Sequence, residues 1–428
     1  MKITLLVTAL AGIALPLPAL AGGPLVPPSG PTTAIYKSLD EVEPRRSVQS
    51  LAGTSNGVHV INQPGSYYLT GDIALAANKH GIIISAQGNV TIDLNGFTIK
   101  GAGAAGTPGA RGIWLGTTGY NVTIKNGIVS GAGSDAVALH GAASARVESV
   151  QVQNAGGIGI AVGAHSIIKD CIVSQAGAEG IVAQDRAIIT GTIANGCTLD
   201  GFRVGPNSQL TACNADNNAK DGFDLATSSS ATGCNARDNT ENGFLVLDSV
   251  TLTGCTAAGS GLSGFAARAQ LHMTNCTAHS NTVNGVTVTG SGAMITGTTS
   301  YANLQTGIKS TQDAATITDC STYSNGKDGI DVFRLSLVTG CNSSRNGTIS
   351  PDGAGVRLSS EANRVDDCMF NANDIGVVAA ATGNMVTRNS FTFNPQAVVA
   401  AVGNNVAAMV TVPGQNFTST NAWANLAH

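Results

Sequence analysis

The sequence predicts an all-β fold: a single-stranded right-handed parallel β-helix of about fifteen coils, with about 21 residues per coil and a cap at each end. Three observations predict it. A glycine followed by Ile, Phe or Val recurs at nearly constant spacing. Columns of cysteine and asparagine repeat in phase with that glycine. The composition is rich in glycine, 54 of 428 residues, and only 11% of residues are charged, against about 25% in ordinary soluble proteins.

The recurring glycine, here called the glycine column, marks the start of one strand in each coil. Its spacing is 21 residues through the middle of the chain. Its members are Gly81, Gly112, Gly159, Gly180, Gly201, Gly222, Gly243, Gly264, Gly285, Gly307, Gly329, Gly355 and Gly376, with Ala136 and Ala397 in equivalent places. A unit this short cannot bury its own apolar face, so successive units must stack and share one continuous core.

The cysteine column follows the same period. Its members are Cys171, Cys213, Cys234, Cys255, Cys276, Cys320 and Cys341, with Thr192, Thr298 and Asn389 as replacements. The preceding residue is mostly Gly, Asn or Asp, which tolerate a positive φ, so a bend is predicted there. Neighbouring coils place these side chains about 4.8 Å apart, too far for a disulfide. We therefore predict a stack of buried free thiols, with Cys197, off the column, as the candidate exposed or paired thiol.

An asparagine column lies five residues after the cysteine column and predicts a tight turn in which asparagines of successive coils hydrogen-bond. Its members are Asn218, Asn239, Asn281, Asn303, Asn325, Asn346, Asn373 and Asn394, interrupted by Ser260. Each coil is thus predicted to contain three short strands. The strict six-residue repeat of a left-handed β-helix is missing, and parallel crossovers are otherwise right-handed.

The two ends of the chain depart from the repeat. Residues 1–21 have the features of a cleavable signal peptide, which predicts secretion to the periplasm or the exterior. No apolar run is long enough to span a bilayer. We predict a Gly/Pro linker over 22–33, an N-terminal cap over 34–55, the β-helix over 56–400 and a C-terminal cap over 401–428, because an open sheet edge needs cover. Phe417 and Trp423 are the bulky residues of that last cap.

The segment DLNGFTI at 93–99, followed by the glycine and asparagine repeats, resembles right-handed parallel β-helix repeat proteins of the pectate-lyase-like superfamily. The resemblance covers roughly residues 56–400. It implies the fold and a bacterial, secreted protein. Superfamily members include polysaccharide lyases, pectin-type hydrolases, uronan epimerases and phage tailspikes, so the resemblance also implies a relation to polysaccharides.

Candidate functional residues lie on the outward column, the third residue of each Gly-apolar-x-apolar strand, because side chains alternate along a strand. Two charged groups stand out there. The Arg203 cluster consists of Arg203 and Asp224 with Glu179, Asp200 and Asp221, which precede the repeat glycine. The Lys309 cluster consists of Lys309, Asp331 and Arg357, with Asp328 and Arg334 nearby. Trp114 occupies the same outward column.

The Arg203 cluster supplies the catalytic candidates, which are Asp200, Arg203, Asp221 and Asp224. Its carboxylates could bind Ca²⁺, with Arg203 removing a proton in a β-elimination, or two carboxylates could serve retaining hydrolysis. The binding candidates are Glu179, Trp114, Lys309, Asp331 and Arg357. The structural alternative is that opposite charges on adjacent strands only stabilise the sheet, by about 0.2–1 kcal/mol per pair.

For function, the sequence favours a secreted binding or structural rod that engages glycans. The alternative is a lyase or hydrolase acting on uronate-containing polymers, with Ca²⁺ as its cofactor if it is a lyase. The paired-Asp, His-Gly and Arg-x-Lys set of pectin hydrolases and the D-P-H signature of epimerases do not assemble, and only 101–111 and 347–353 are larger insertions. A net charge of -4 predicts no nucleic-acid partner, histidines show no metal-site spacing, and a monomer is expected.

Overall fold

The structure is a computed structural model that describes residues 45–411 and 421–427. The predicted signal peptide, the linker, residues 34–44 of the predicted N-terminal cap, and Phe417 lie outside the described residues. The described part contains a 3-10 helix at Val48–Ser50, a one-turn α-helix at Gly103–Gly106 and otherwise strands. No helix in this part is long and apolar enough to cross a membrane.

One face of every coil belongs to a parallel sheet of sixteen strands. Its strands are Gly57–Ile61, His80–Ile84, Ile113–Leu115, Val137–Leu139, Ile160–Val162, Ile181–Ala183, Phe202–Val204, Phe223–Leu225, Phe244–Val246, Phe265–Ala267, Val286–Val288, Ile308–Ser310, Ile330–Val332, Ala354–Leu358, Ile375–Ala379 and Gln396–Ala400. The register joins equivalent residues of successive coils, for example Arg203 with Asp224. Sixteen strands make one coil more than the glycine column predicted, because Gly57–Ile61 precedes its first member.

The other two strands of each coil belong to a sheet of thirty-three strands. The strands nearer the start of each coil are Arg46–Ser47, Gly65–Tyr68, Gly88–Asp93, Gly119–Ser130, Ala142–Ala143, Arg146–Gln153, Ile167–Lys169, Ile188–Thr190, Gln209–Thr211, Ser230–Thr232, Thr251–Thr253, His272–Thr274, Met294–Thr296, Thr316–Thr318, Leu337–Thr339, Arg364–Asp366, Met385–Thr387 and Asn405–Val406. The strands after the next bend are Ile73–Ala74, Thr98–Lys100, Ile172–Ser174, Ile193–Asn195, Asn214–Asp216, Asn235–Arg237, Thr256–Ala258, Thr277–His279, Thr299–Tyr301, Ser321–Tyr323, Asn342–Ser344, Met369–Asn371, Ser390–Thr392, Met409–Thr411 and Asn425–Ala427.

Three left-handed bends connect the strands of a regular coil. In the coil that starts at Phe202 the bend residues are Asn207, Ala212 and Asn217, with φ of 58°, 51° and 55°. The second bend is the one predicted before the cysteine column, and Gly254 has φ 60° there. Ala212 shows that a residue with a Cβ can occupy this bend, at a cost of roughly 1–2 kcal/mol.

The core is built from identical side chains stacked coil on coil. Phe202, Phe223, Phe244 and Phe265 are fully buried, and the centroids of neighbouring rings lie 4.6–4.8 Å apart. All nine cysteines are free and buried, which confirms the predicted thiol stack. The prediction for Cys197 was wrong. Cys197 points inward and is 1% exposed, because it occupies the asparagine column, where its backbone N–H donates to Asn218 Oδ1 over 3.0 Å.

The asparagine column forms the predicted ladder, although the bend itself falls one residue earlier. The Nδ2 of Asn303 donates to Asn325 Oδ1 over 2.9 Å, and Asn325 donates in turn to Asn346 over 2.9 Å. These side chains are at most 3% exposed. Ser260 is too short to continue the ladder, and its buried hydroxyl has no hydrogen-bond partner among the described residues.

Parallel pairing continues into both predicted caps. Arg46–Ser47 pairs with the strand at Gly65–Tyr68, so the end of the 34–55 segment already belongs to the stack. At the other end, Asn405–Val406 pairs with Met385–Thr387, and Asn425–Ala427 pairs with Ser390–Thr392. Trp423 is 53% exposed, so it does not seal the core as a buried residue would.

Candidate functional site

The residues just before the repeat glycine, the pre-glycine column, form a line of polar side chains beside the sixteen-stranded sheet. Asp200 Oδ1 accepts the backbone N–H of Asp221 over 3.1 Å, and Asp221 Oδ1 accepts that of Asn242 over 2.8 Å. Asp328 Oδ1 accepts the N–H of Ala354 in the same way, over 2.8 Å. These buried carboxylates therefore satisfy the backbone of the following coil, a structural role that the sequence did not reveal.

The Arg203 cluster assembles around one exposed guanidinium. Arg203 Nη1 lies 2.9 Å from Glu179 Oε1, and Nε lies 3.9 Å from Asp224 Oδ2. The hydrogen bond from Arg203 to Glu179 is the main cause that raises the pKa of Arg203. A guanidinium held in its charged form in this way is a poor base, which works against its role in a β-elimination.

The carboxyl groups of this cluster are shielded from water. Burial raises the pKa of Asp221 to about 6, and burial is also the main cause that raises the pKa of Asp200 and of Asp224. Across the described residues, no group of three or more His, Cys, Asp or Glu side chains is placed to hold a metal ion. The donor set for the Ca²⁺ considered from the sequence does not converge here, so no chemical step is assigned to Ca²⁺.

The Lys309 cluster differs because it surrounds a cavity of about 310 Å³. Arg357 makes two 2.8 Å hydrogen bonds to the carboxylate of Asp328 and a third, also 2.8 Å, to the backbone oxygen of Asp352. Lys309 Nζ lies 3.2 Å from Asp331 Oδ2, while Asp331 Oδ1 accepts the Ser359 hydroxyl over 2.5 Å. The predicted binding residues Lys309, Asp331 and Arg357 are thus brought together.

The wall of this cavity comes from the insertion at 347–353, which lengthens the step between two repeat glycines to 26 residues. The lining residues are Gln305, Thr306, Lys309, Lys327, Asp328, Asp331, Ser350, Asp352, Gly353 and Arg357. Apart from Gly353, all of them have polar side chains. The sequence identified the insertion but not the part played by Lys327, Ser350 and Asp352. Arg334 is not in the lining and pairs with Asp313 over 2.8 Å.

Trp114 lies apart from both clusters, on the third strand of the sixteen. Its ring centroid is 4.7 Å from that of His80 and 5.5 Å from the Arg111 guanidinium carbon. Arg111 also donates to Asp135 Oδ2 over 3.0 Å, and the pKa of Asp135 is lowered to about 2 because hydrogen bonds from His140, the Ile158 backbone and Arg111 outweigh the effect of burial. Trp114 is therefore held between the imidazole of His80 and the guanidinium of Arg111, away from the Lys309 cluster.

The outward column is not one continuous accessible surface. Ala138 and Ala161 are at most 1% exposed, although alternation placed them outward. From Arg203 to Arg357 the column is open at most positions, with half-buried Asp224, Leu245, Ala266, Thr287 and Lys309. The accessible part of the outward column thus coincides with the coils that contain the two charged clusters.

The model of the right-handed β-helix region matches residues 56–205 and 260–411, together more than half of the chain. The chain therefore belongs to the right-handed β-helix family. This agrees with the parallel coils described above and with the predicted hand of the helix. No curated protein sequence matches the chain.

Several solved structures are similar in chain path. The A-module of the Azotobacter vinelandii mannuronan C-5 epimerase AlgE6 is 16% identical with a TM-score of 0.41, covering 86% of this chain and 100% of that one. The periplasmic alginate epimerase AlgG is 12% identical with a TM-score of 0.39, covering 78% and 82%. The receptor-binding domain of the siphovirus 9NA tailspike is 10% identical with a TM-score of 0.36, covering 90% and 80%. Likeness this low transfers no residue role to this chain.

Proposed function

We propose that the chain is a secreted protein that binds an acidic glycan on the outward face of the sixteen-stranded sheet, with the Lys309 cavity as the anchoring subsite. The observation that carries this proposal is a cavity whose lining is polar apart from one glycine, built by an insertion into an otherwise uniform repeat. A lining of ammonium groups, carboxylates and hydroxyls suits a ligand that offers many hydroxyl groups and a carboxylate.

Lys309 and Lys327 are the groups best placed to receive a sugar carboxylate. Arg357 already gives two hydrogen bonds to Asp328, whereas Lys309 is 39% exposed in its side chain and has one carboxylate neighbour, Asp331. Lys327 Nζ donates to the neutral Gln305 Oε1 over 3.2 Å and acts on the carboxylate of Asp352 through its charge, without a salt bridge to it among the described residues. From the strand of Lys309 to that of Arg203 is five strand spacings, roughly 24 Å, so a polymer chain could contact both clusters.

Calorimetric titration with oligogalacturonate and oligomannuronate tests the proposal. Lys309→Gln is expected to weaken binding by at least about tenfold, the loss of one charge-assisted contact, and raised salt is expected to weaken wild-type binding. Lys169→Gln is the matched control, since Lys169 pairs with Asp170 on the other sheet. The proposal is contradicted if neither acidic oligomer binds. It is also contradicted if Lys309→Gln and Lys169→Gln bind the acidic oligomers with equal affinity.

The second candidate function is a polysaccharide lyase or hydrolase, and the raised pKa of Asp221 favours it. A carboxyl with a pKa of about 6, on the same coil as the half-buried Asp224, has the protonation behaviour of a general acid. Ultraviolet absorbance of unsaturated products and reducing-end assays distinguish the two functions. Product formation that is lost in Asp224→Asn but kept in Lys169→Gln supports the enzyme, and a bound glycan without product supports the binding protein.

A further inference from the structure

A second cavity, of about 430 Å³, opens on the thirty-three-stranded sheet near its C-terminal end, away from both charged clusters. The lining residues are Arg364, Met385, Thr387, Asn405, Val406, Ala407 and Trp423. Three successive strands form its floor, and Trp423 comes from the last described segment of the chain. The volume falls in the range of about 300–1,000 Å³ typical of sites for small molecules.

The walls of this C-terminal cavity are largely apolar. Met385 is 38% exposed, Val406 36% and Trp423 53%. Single exposed apolar side chains are ordinary on a protein surface, but here three large ones converge on one concavity. The indole of Trp423 is fixed on one side by Arg388, whose guanidinium carbon lies 5.3 Å from the ring centroid. The cavity therefore offers a preformed apolar surface for a ligand.

The polar side of the cavity contains a hydrogen-bond donor without a partner in the described part of the chain, on Arg364. Asp366 accepts hydrogen bonds from Arg364 Nη2 over 2.9 Å and from Arg388 Nε over 2.9 Å, so two guanidinium groups share one buried carboxylate. The Thr387 hydroxyl donates to the same carboxylate over 2.7 Å. The Nε of Arg364 is buried and has no hydrogen-bond partner among the described residues. Asp367, the next residue, does not line the cavity.

We infer that the C-terminal cavity binds a small amphipathic anion, with its apolar body against Trp423, Met385 and Val406 and its acid group on Arg364. A buried donor without a partner is costly, and Arg364 Nε would gain one when the side chain turns it toward an incoming carboxylate. The side chain of Arg364 is 41% exposed at the cavity wall, where its guanidinium charge complements an anion. This site is independent of the proposed glycan site, because it lies on a different sheet.

Tryptophan fluorescence gives a direct test in the intact protein. The sequence has two tryptophans, so Trp114→Phe leaves Trp423 as the single reporter. Phenylbutyrate, a carboxylate on an apolar body, is expected to change Trp423 emission saturably and to bind at least about tenfold more tightly than phenylbutanol, its neutral counterpart. No saturable change with either compound, or equal affinity for both, overturns the inference.

Two substitutions locate the contact in this background. Arg364→Gln is expected to weaken phenylbutyrate binding by about tenfold or more, while Arg186→Gln, at an exposed pair with Asp185, should leave it within about twofold. If Arg364→Gln lowers the melting temperature, Val406→Glu replaces it, since a carboxylate at the wall should repel the acid and spare the alcohol. Unchanged phenylbutyrate affinity in a folded Arg364→Gln or Val406→Glu protein overturns the assignment.

Discussion

The Arg203 cluster and the Lys309 cluster lie on the same face of the same sheet, yet only the second surrounds a cavity. Around Arg203 every coil has 21 residues and turns directly into the next strand. Around Arg357 the 347–353 insertion rises beside the strand and supplies Ser350 and Asp352 to the lining. A uniform repeat thus brings charges into register on an open surface, and a local departure from the repeat is needed to enclose a ligand.

The same column position also behaves differently in the two regions. Asp221 and Asp328 both precede the repeat glycine and both accept a backbone N–H from the next coil. Asp328 receives in addition two hydrogen bonds from Arg357. Among the described residues Asp221 receives amide donors alone, from the backbone and side chain of Asn242, and its pKa is raised by burial to about 6. The two acids therefore differ in their partners: Asp328 is paired with a cation from the outward column, Arg357, whereas Asp221 is bound by the neutral Asn242.

The largest expected effect tests whether stability resides in the regular coils. Phe223→Ala is expected to lower the free energy of unfolding by about 3–5 kcal/mol, because Phe223 is fully buried between two other phenylalanines. Lys309→Ala should cost only about 0–1 kcal/mol, since it removes a partly exposed ion pair. Urea unfolding followed by circular dichroism measures both, and similar losses would show that the two regions contribute alike.

The asparagine ladder comes next. Asn325→Ala is expected to lower the free energy of unfolding by about 1–3 kcal/mol, because it removes the acceptor of the buried Asn303 backbone N–H and one hydrogen bond each from Asn303 Nδ2 and the Ser300 backbone oxygen. Asn371→Ala is the control, since Asn371 is exposed on the outside of its strand. Thermal melting of the two variants measures the difference. Equal melting temperatures would mean that the ladder does not stabilise the stack.

A substitution at a bend is expected to lower the free energy of unfolding by about as much as Asn325→Ala, or by somewhat less. Gly254 has φ 60° with no heavy atom within 4 Å of a built Cβ, so Gly254→Val acts through backbone strain alone, of roughly 1–3 kcal/mol. Thr256→Val lies in the adjoining strand, where a β-branched residue is well accommodated. Chemical denaturation should therefore show a loss for Gly254→Val only, and an equal loss for both would place the strain elsewhere.

The smallest expected effect concerns pH and tests the burial of Asp221, which within the described residues lacks the arginine partner that Asp328 has. Because the folded state raises the pKa of Asp221 to about 6, the folded state binds the proton more tightly than the unfolded chain does. Stability should therefore fall as pH rises from about 4 to 6 and level off above that. Asp221→Asn should flatten this slope, as Asn242 already occupies the next place in the column. A slope identical to wild type between pH 4 and 7 contradicts the shift.

Periodicity was sufficient to predict the coil, its three strands, the bend before the cysteine column and the inward thiols, because each depends on residues that recur once per turn. It could not predict Lys327, Ser350 and Asp352 as lining residues, since the path of the 347–353 insertion is not set by the repeat. Cys197 was misassigned because residue type was weighed above column position. The backbone-capping role of Asp200 and Asp221 was missed because it depends on hydrogen bonds between coils.

The asparagine ladder is directional. Wherever asparagines occupy two successive coils, the amide of the earlier coil donates to the side-chain oxygen of the later coil, as from Asn281 to Asn303 over 2.8 Å. A partial stack that ends at Asn303 would present unsatisfied N–H donors at its growing end, and the next coil brings the acceptors. When the chain emerges N-terminus first, each new coil can therefore pair with a coil that is already folded. The β-helix can then elongate one turn at a time from its first coils.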